Sequence, residues 1–433
     1  MKKDKIFIGG ASGYWGEASY ATAQLLELDD IDFLVYDYLS EITMSILARS
    51  RAKDPSKGFA TDFVTSALKP NLKLISKKGV RVISNAGGLN PSACAEMINK
   101  EVDIQRLKLK VAFVEGDELI DHSEKFKNEM DLETSRRFPD QKSIFSINAY
   151  LGAFPIAVLL DKGADIIITG RCVDSAVTLG ACIHSFCWKN NDLNLLASGS
   201  LAGHLLECGP QLTGGNFTDW HKSKNIFDIG YPVAQIDYNG KIIISKPENT
   251  GGIVSKATVA EQMLYEIGNP QSYILPDVIC DFSQVQLEQI GKNKVSIYGA
   301  IGRNPTGKLK VSVTYKDGYR AGQILSFNGT SARQKAEVFA NAAIKRSINA
   351  LKQKNANEFT EVNFEIFGGK PLEGEFEEVM LKVAVRHPEK EAVGVFIKEL
   401  AGMLLATPPG LSYFTGAGRP KPSPVVRLFS FLI

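Results

Sequence analysis

The chain has 433 residues, 44% of them hydrophobic and 23% charged, and its formal net charge is +2. This length predicts two domains, and the composition is typical of a globular protein. The sequence shows no block of basic residues and no apolar run of about 18 residues, so we expect neither nucleic acid nor a membrane as a partner. The six cysteines form no C-x-x-C pair, which indicates a reducing, cytoplasmic setting.

The first predicted element is a strand over residues 5–10, followed by a glycine-rich loop and by a helix that starts near Glu17. Three loop glycines recur at every third position, which lets the backbone approach an anion beside the unpaired N–H groups of the helix start. The pattern predicts a phosphate or nucleotide cradle, and the alternative is a tight turn that binds nothing. The residues predicted to bind a cofactor here are Gly10, Ser12, Gly13, Tyr14 and Gly16.

A second predicted strand, over residues 31–36, ends on an acidic residue. In dinucleotide-binding folds an acid about 20 residues after the glycines accepts the ribose hydroxyls, and Asp37 stands at that distance from Gly16. We therefore predict that Asp37 binds the cofactor. Short-chain dehydrogenases also need a Tyr-x-x-x-Lys pair for proton transfer, and the chain contains none, which disfavours that class of hydride-transfer enzyme and leaves the cofactor unidentified.

A third predicted strand, over residues 79–84, leads into the polar loop 85–90 and a helix that Pro91 begins. The backbone N–H groups of this loop are suited to a carboxylate or a phosphate. The alternative is a capped helix start without a ligand. The cofactor-binding candidates of this loop are Asn85, Gly87, Gly88 and Asn90.

A fourth strand is predicted at 107–114, a helix at 147–160 and a fifth strand at 163–169. The loop after the fifth strand carries two charged residues, Arg171 and Asp174. Arg171 is a fixed cation with a planar fork that suits a carboxylate or a phosphate. Asp174 is either an acid–base group or a charge at a helix N-terminus. We predict a catalytic role for both.

Strands thus alternate with helices from residue 5 to about 188, which predicts an α/β fold with a Rossmann-like parallel sheet covered by helices on both faces. The carboxyl ends of parallel strands meet at one edge, where ligands bind. We expect the loops 9–16, 85–90 and 170–175 to form the walls of one site, within a first domain over residues 1–190.

Residues 191–433 are predicted to form an α+β domain with a Pro-rich C-terminal tail. The predicted elements are a strand at 242–245, a helix capped by Thr258 and Glu261, antiparallel strands within 295–328, a helix at 331–353, strands near 362–367 and 378–385, a helix at 390–405 and an apolar end at 425–433.

The segment 203–220 carries the remaining catalytic candidates and is expected to reach over the sheet edge. His204 and Glu207 share a face if the segment is helical, and a histidine can move protons near neutral pH. The alternative for His204 is a structural histidine. A metal site of these two residues and Cys208 would need further ligands from a second cluster. The sequence offers none, so no metal is predicted.

Five motifs, in this order along the chain, carry a resemblance to a known family. They are Gly-Gly-Ala-Ser-Gly-Tyr-Trp-Gly (9–16), Ser-Asn-Ala-Gly-Gly-Leu-Asn-Pro (84–91), Gly-Arg-Cys-Val-Asp-Ser-Ala (170–176), Leu-Glu-Cys-Gly-Pro-Gln-Leu-Thr-Gly-Gly (206–215) and Gly-Arg-Pro-Lys-Pro-Ser-Pro-Val-Val-Arg-Leu-Phe-Ser (418–430). With them, nearly the whole chain resembles the acyclic terpene utilisation (AtuA) family. The resemblance implies a role in pathways that degrade acyclic terpenes and related branched acids as coenzyme A thioesters. It brings no assignment of catalytic residues.

The chain further resembles a short form of that family, without the C-terminal ferredoxin-like domain of longer members. The resemblance implies that a separate small ferredoxin-like protein is a partner, with residues 425–433 as a strand or docking surface. We also expect a homo-oligomer.

Our leading hypothesis is a lyase or hydratase that acts on a carboxylic acid or its coenzyme A thioester. In it, Arg171 pairs the substrate carboxylate, and Glu207 with His204 or Asp174 moves the proton next to the carbonyl. The alternatives are an NAD(P)-dependent oxidoreductase and a non-catalytic subunit that scaffolds the small partner.

Overall fold

A computed structural model of the chain describes residues 3–17, 19–368, 377–412 and 420–433. The predicted Pro-rich tail lies partly outside these residues. The chain forms two compact units, one made of Met1–Thr314 with Leu428–Ile433 and the other of Tyr315–Arg427.

The strands and helices follow in chain order. The strands are β1 (Lys5–Ser12), β2 (Phe33–Tyr36), β3 (Arg81–Ser84), β4 (Val111–Val114), β5 (Ile144–Ala149), β6 (Ile166–Thr169), β7 (Val233–Asp237), β8 (Ile242–Ser245), β9 (Tyr273–Ile274), β10 (Ile279–Asp281), β11 (Gln286–Gly291), β12 (Lys294–Tyr298), β13 (Ile301–Arg303), β14 (Lys310–Asn328), β15 (Glu361–Phe367), β16 (Glu378–His387), β17 (Leu411–Ser412) and β18 (Ser423–Leu432). The α-helices are α1 (Tyr20–Leu26), α2 (Glu41–Lys53), α3 (Leu72–Lys78), α4 (Pro91–Ile104), α5 (Phe154–Asp161), α6 (Ala176–Phe186), α7 (Leu193–Leu206), α8 (Lys256–Leu264), α9 (Ala332–Gln353) and α10 (Lys390–Gly402). Shorter helical segments are the π-helical Phe63–Leu68 and the 3₁₀ turns Ile120–Phe126, Gln141–Ser143, Gly209–Thr213, Trp220–Lys222 and Ile226–Asp228.

A mixed nine-stranded sheet, in the order β11-β12-β8-β7-β1-β2-β3-β6-β4, forms the centre of the first unit. The strands β1, β2, β3, β6 and β4 are parallel, while β7, β8, β12 and β11 continue the sheet beside β1 as antiparallel neighbours. The predicted α/β class is therefore confirmed, and each of the five predicted parallel strands is present.

Both faces of this sheet are covered, which explains why its parallel strands are continuous apolar runs. The side chains of β2 and β6 are buried along their whole length. On one face Ile8 and Ile167 belong to a core completed by α5, α6 and α7. On the other face Leu34 and Ile168 pack with α1, α3 and α4. No helix among the described residues is both long and apolar enough to cross a membrane.

The structure differs from the sequence-based expectation at residues 147–160. In place of one helix it has the strand β5 followed by α5. A distant segment holds β5 extended, because Tyr150 N–H donates to the Lys310 carbonyl at 2.9 Å and the Ser146 and Thr314 hydroxyls lie 2.6 Å apart. The first unit also continues past the predicted domain boundary near residue 190, because β7 and β8 pair into the same sheet as β1.

The second unit has an antiparallel sheet with two helices packed against it. Here β15 pairs with β16 and β16 with β14. Phe327 of β14, Phe339 of α9 and Phe396 of α10 are fully buried in one core. The helices predicted at 331–353 and 390–405 are confirmed, with α10 ending slightly earlier. The helix α8 is capped by a box of Ser255 and Thr258 rather than by the predicted pair.

Candidate functional site

A cavity of about 590 Å³ in the first unit lies where the carboxyl ends of β1, β2 and β6 meet. This volume falls in the range of small-molecule sites. Its charged lining residues are Asp37, Glu41, Arg171, Asp174, Glu207, Glu266, Lys308 and Lys310. Its aliphatic lining residues are Leu39, Leu132, Val173, Ile274, Leu275, Pro276 and Leu432. The lining therefore combines charged groups with aliphatic side chains of the kind that suit a branched hydrocarbon.

Arg171, which follows β6, is a buried cation held from several directions. Its Nη1 donates to Asp174 Oδ1 at 2.7 Å and to the carbonyl of Leu39 at 3.2 Å. The guanidinium carbon lies 4.2 Å from the ring centroid of Tyr150, a cation–π distance. Burial alone lowers the pKa of Arg171, but the charge of Asp174 and of other nearby groups outweighs it, so the pKa is raised. Its Nε is buried and has no hydrogen-bond partner among the described residues.

Glu207 and His204 form a buried pair at the end of α7. Glu207 Oε1 lies 2.8 Å from His204 Nδ1. Burial raises the pKa of Glu207 to about 7, although the adjacent His204 favours the ionised form. Burial lowers the pKa of His204, but the charge of Glu207 and its hydrogen bond outweigh this and raise it. Glu207 lines the cavity and His204 does not; the His204 ring is tilted by 55° to the Tyr273 ring, with centroids 5.8 Å apart.

Asp37 follows β2 and is oriented by the loop after β3. Asn85 Nδ2 donates to Asp37 Oδ1 at 2.6 Å, and Asn85 Oδ1 accepts from Tyr38 N–H at 2.7 Å. Burial and then the charge of Asp174 raise the pKa of Asp37 well above its ordinary value, while Arg171 opposes the shift. Asp37 therefore faces the cavity as a second carboxyl group that readily holds a proton, and Asn85 acts behind it.

Tyr150 connects the buried arginine with a further carboxylate. Its hydroxyl donates to Glu41 Oε1 at 2.5 Å, and Lys310 Nζ lies 3.9 Å from the same oxygen. Burial raises the pKa of Glu41, but the charge of Arg171 and the hydrogen bond from the Tyr150 hydroxyl outweigh burial, so the pKa is lowered overall. Glu41 is thus held as a carboxylate, in contrast to Glu207.

Two of the glycines within residues 9–16 are packed against protein backbone, namely Gly10 in β1 and Gly13 in the loop that follows it. A Cβ atom on Gly10 would lie 2.9 Å from the carbonyl oxygen of Leu206, and one on Gly13 would lie 2.7 Å from the carbonyl carbon of Cys208. These two glycines therefore lie against the backbone that follows α7. This close packing places Glu207 at the edge of the sheet. Of the predicted cofactor-binding residues in this loop, only Gly13 lines the cavity.

The other residues of this loop lie outside the cavity lining. Ser12 is buried, with Oγ 3.0 Å from the carbonyl of Tyr14. The Tyr14 side chain is 61% exposed. Gly16 has φ of +95°, a conformation that favours glycine, and a Cβ there would meet nothing within 4 Å.

The loop of Asn85 to Asn90 also packs within the protein. A Cβ on Gly87 would lie 2.6 Å from the Thr169 carbonyl oxygen, and one on Gly88 would lie 2.4 Å from a methyl group of Leu47. Asn90 caps α4 through Ala93 N–H at 3.4 Å. The structure therefore brings Asp37, Arg171, Asp174 and Glu207 to one cavity and leaves Asn85, Gly87, Gly88 and Asn90 behind its wall.

Sequence reasoning missed several residues of the site. Tyr150 was missed because its segment was expected to be a helix. Lys310 and Leu432 were missed because they belong to β14 and β18, which are distant in sequence from the other residues of the site. Glu41 had a weak signal as the acidic residue after the Ser40 cap. The described part of the chain holds no group of three or more His, Cys, Asp or Glu side chains arranged for a metal ion.

The comparison with known families gives one match. The family model described as "Acyclic terpene utilisation family protein AtuA" matches residues 6–433. No curated protein matches the chain. The resemblance inferred from the five sequence motifs is thereby confirmed.

Proposed function

Since the chain belongs to the AtuA family of acyclic terpene utilisation proteins, we propose that it is an enzyme of acyclic terpene or branched organic acid catabolism. In this proposal it is a lyase or hydratase that acts on a carboxylic acid or its coenzyme A thioester. The proposal rests on the position and hydrogen bonding of Glu207. This residue lines the cavity, and its Oε2 has no hydrogen-bond partner among the described residues.

Glu207 has the properties of a general acid–base group. A pKa of about 7 means that protonated and ionised forms coexist near neutral pH, where general acid–base catalysis is most efficient. The reaction needs a proton to leave or join the carbon next to an activated carbonyl. In the proposal Glu207 Oε2 carries that proton, and His204 orients the carboxyl group and stabilises its ionised form through Nδ1.

Arg171 provides the means to hold the carbonyl end of the substrate. Its free Nε and its fixed positive charge suit a carboxylate, or the enolate oxygen that forms when a thioester loses its α-proton. Asp174 shares the guanidinium and keeps it oriented. In the proposal the aliphatic lining residues, among them Leu132, Ile274 and Leu275, contact the branched carbon chain.

The oxidoreductase alternative has no comparable support. Gly10 and Gly13, which would have to approach the pyrophosphate of a nicotinamide cofactor, approach the backbone of Leu206 and Cys208 instead. Asp37, which would hold the ribose, is hydrogen-bonded to Asn85.

We retain the small ferredoxin-like partner and self-association as proposals. The exposed apolar residues Leu428, Leu432 and Ile433 near the chain end support a docking role for this strand. Leu432 also lines the cavity, so a partner bound there would lie next to the substrate. The six cysteines are free thiols, which supports the proposed cytoplasmic setting.

The test is solvent-deuterium incorporation. Branched acids and their coenzyme A thioesters are first screened by thermal shift, because a bound ligand stabilises the folded state. Each compound that binds is then incubated in D₂O, and NMR follows exchange at the carbon next to the carbonyl. We expect Glu207→Gln to slow this exchange by about 10²-fold or more while binding persists. The exposed Glu124→Gln is the matched control. Exchange at the wild-type rate in Glu207→Gln, or a lack of exchange in the wild-type protein with every compound that binds, would sink the proposal.

A further inference from the structure

A second large cavity, of about 910 Å³, lies in the first unit and shares no lining residue with the cavity of Glu207. It is bordered by the loop between β8 and α8 and by the turn between β11 and β12. Its lining includes the lysines Lys222, Lys224, Lys246, Lys292 and Lys294. One acidic side chain, that of Glu248, belongs to the same lining.

Most of this positive charge is not neutralised within the protein. Lys222 pairs with Asp219 at 2.6 Å. The other four lysines form no ion pair with any residue that the structure describes. The four unpaired ammonium groups repel one another, and a bound anion would offset this repulsion. A concave surface lined by positive charge therefore attracts an anion of high charge.

Of the four unpaired lysines, Lys246 is the one whose ammonium group is hydrogen-bonded within the described residues. It is half-buried, and its Nζ donates to the carbonyl of Thr250 at 2.7 Å and lies 3.0 Å from the Thr250 hydroxyl. An ammonium group has three donors, so one remains for a ligand. Burial and then the charge of Lys292 lower the pKa of Lys246, while Asp228 opposes the shift. A bound anion would relieve this repulsion.

The loop that carries Lys246 is rigidly placed by its backbone. Gly252 has φ of +80°, and a Cβ on Gly251 would lie 1.9 Å from the Asn225 carbonyl oxygen. Gly251 N–H donates to the Asp228 carbonyl at 2.6 Å, and Gly252 N–H donates to that of Lys224 at 2.8 Å. Both the loop and the Lys224 segment are thus fixed before any ligand arrives, which reduces the entropic penalty of binding.

We propose that this lysine-lined cavity, defined by Lys224, Lys246, Lys292 and Lys294, is a binding site for a ligand with clustered phosphate groups, such as a nucleotide. Lysine ammonium groups are common phosphate partners, acting as point charges. The volume accommodates a nucleotide-sized molecule. The site goes beyond the proposed acid–base chemistry, and the two are tested separately.

The test is isothermal titration calorimetry of the full chain at about 0.15 M ionic strength, where weak surface charge effects are screened. The probes are inorganic tripolyphosphate, ATP and free coenzyme A. We expect saturable binding of at least one of them. Equal affinity for tripolyphosphate and ATP would assign the site to phosphates alone, and tighter binding of ATP or coenzyme A would add recognition of the nucleoside.

The matched variants are two charge reversals of equal size and spacing. Lys292→Glu with Lys294→Glu should weaken binding by about tenfold or more, equal to about 1.4 kcal/mol. Lys125→Glu with Lys127→Glu, two exposed lysines outside the cavity, should change it by less than about twofold. Lys246→Met should also weaken binding, with circular dichroism as a check of folding. Binding of none of the three probes, or equal losses in both charge-reversal variants, would overturn the proposal.

Discussion

Glu207 Oε1 lies 2.8 Å from Nδ1 of His204, three residues earlier in the chain, and both side chains are buried. Glu207 Oε2 and His204 Nε2 are buried and have no hydrogen-bond partner among the described residues. A pair that is buried, adjacent to a cavity and only half satisfied is costly for folding, and such groups concentrate at functional sites.

The buried pair predicts how stability depends on pH. Burial raises the pKa of Glu207 from 4.5 to about 7, and the pKa of His204 is raised as well. A raised pKa favours the protonated folded state, so this stabilisation is fully present below about pH 4.5 and is lost as the pH rises through about 7. Glu207→Gln also removes the negative charge that raises the pKa of His204. The variant therefore loses the pH-dependent stabilisation that His204 contributes as well.

Between about pH 5 and about pH 8, the wild-type protein should therefore lose roughly 3 kcal/mol of unfolding free energy relative to Glu207→Gln. Urea denaturation at the two pH values measures the difference. The exposed Glu124→Gln should follow the wild-type curve. A difference between wild type and Glu207→Gln that is the same at both pH values would show that the pKa of Glu207 is not raised.

Replacing Arg171 by lysine should weaken both folding and ligand binding. Lysine keeps the charge but loses the planar fork that bonds Asp174 and stacks on Tyr150. We expect the free energy of unfolding to fall by about 1–2 kcal/mol and bound branched acids to lose affinity. Arg136→Lys, at an exposed position, is the control. If the Arg171→Lys variant were as stable as the wild-type protein, the planar guanidinium group would not be important for folding.

Replacing Gly13 by alanine should destabilise the protein even without a ligand. The new Cβ would lie 2.7 Å from the Cys208 carbonyl carbon, a backbone atom that cannot rotate away as a side chain can. We expect a loss of about 1–3 kcal/mol, measured by chemical denaturation. Gly268→Ala is the matched control, because a Cβ there meets nothing within 4 Å. If Gly13→Ala changed ligand affinity alone, the loop would be a ligand cradle and not a packing contact.

Replacing Tyr150 by phenylalanine should remove the hydrogen bond to Glu41 while keeping the ring beside Arg171. The half-buried Glu41 carboxylate would lose a donor, so we expect a loss of about 1–3 kcal/mol at neutral pH. Since the folded-state pKa of Glu41 is lowered, its stabilisation is present above about pH 4.5 and disappears as the pH falls through the folded-state value.

The penalty of Tyr150→Phe should accordingly shrink in acid, which denaturation curves at about pH 7 and about pH 3 can measure. Tyr298→Phe, at an exposed tyrosine, should show little change at either pH. An equal penalty at both pH values would point to lost packing and not to the bond with Glu41.

The sequence alone was enough to predict the α/β class, the five parallel strands and the family. These features depend on local patterns, namely apolar runs that end in glycine-rich loops, and on motifs read directly from the chain. The common edge followed from them, because parallel strands place their carboxyl ends together. The cavity accordingly includes Asp37 after β2 and Arg171 after β6.

Tertiary structure decided what no local pattern contains. The segment 144–149 is a strand because a segment more than 160 residues later pairs with it, as the Ser146–Thr314 contact shows. Gly10 and Gly13 look like a nucleotide fingerprint in sequence, yet they meet the backbone that carries Glu207. Only the fold could show this, because a glycine permits close approach without specifying whether a ligand or another part of the chain comes close.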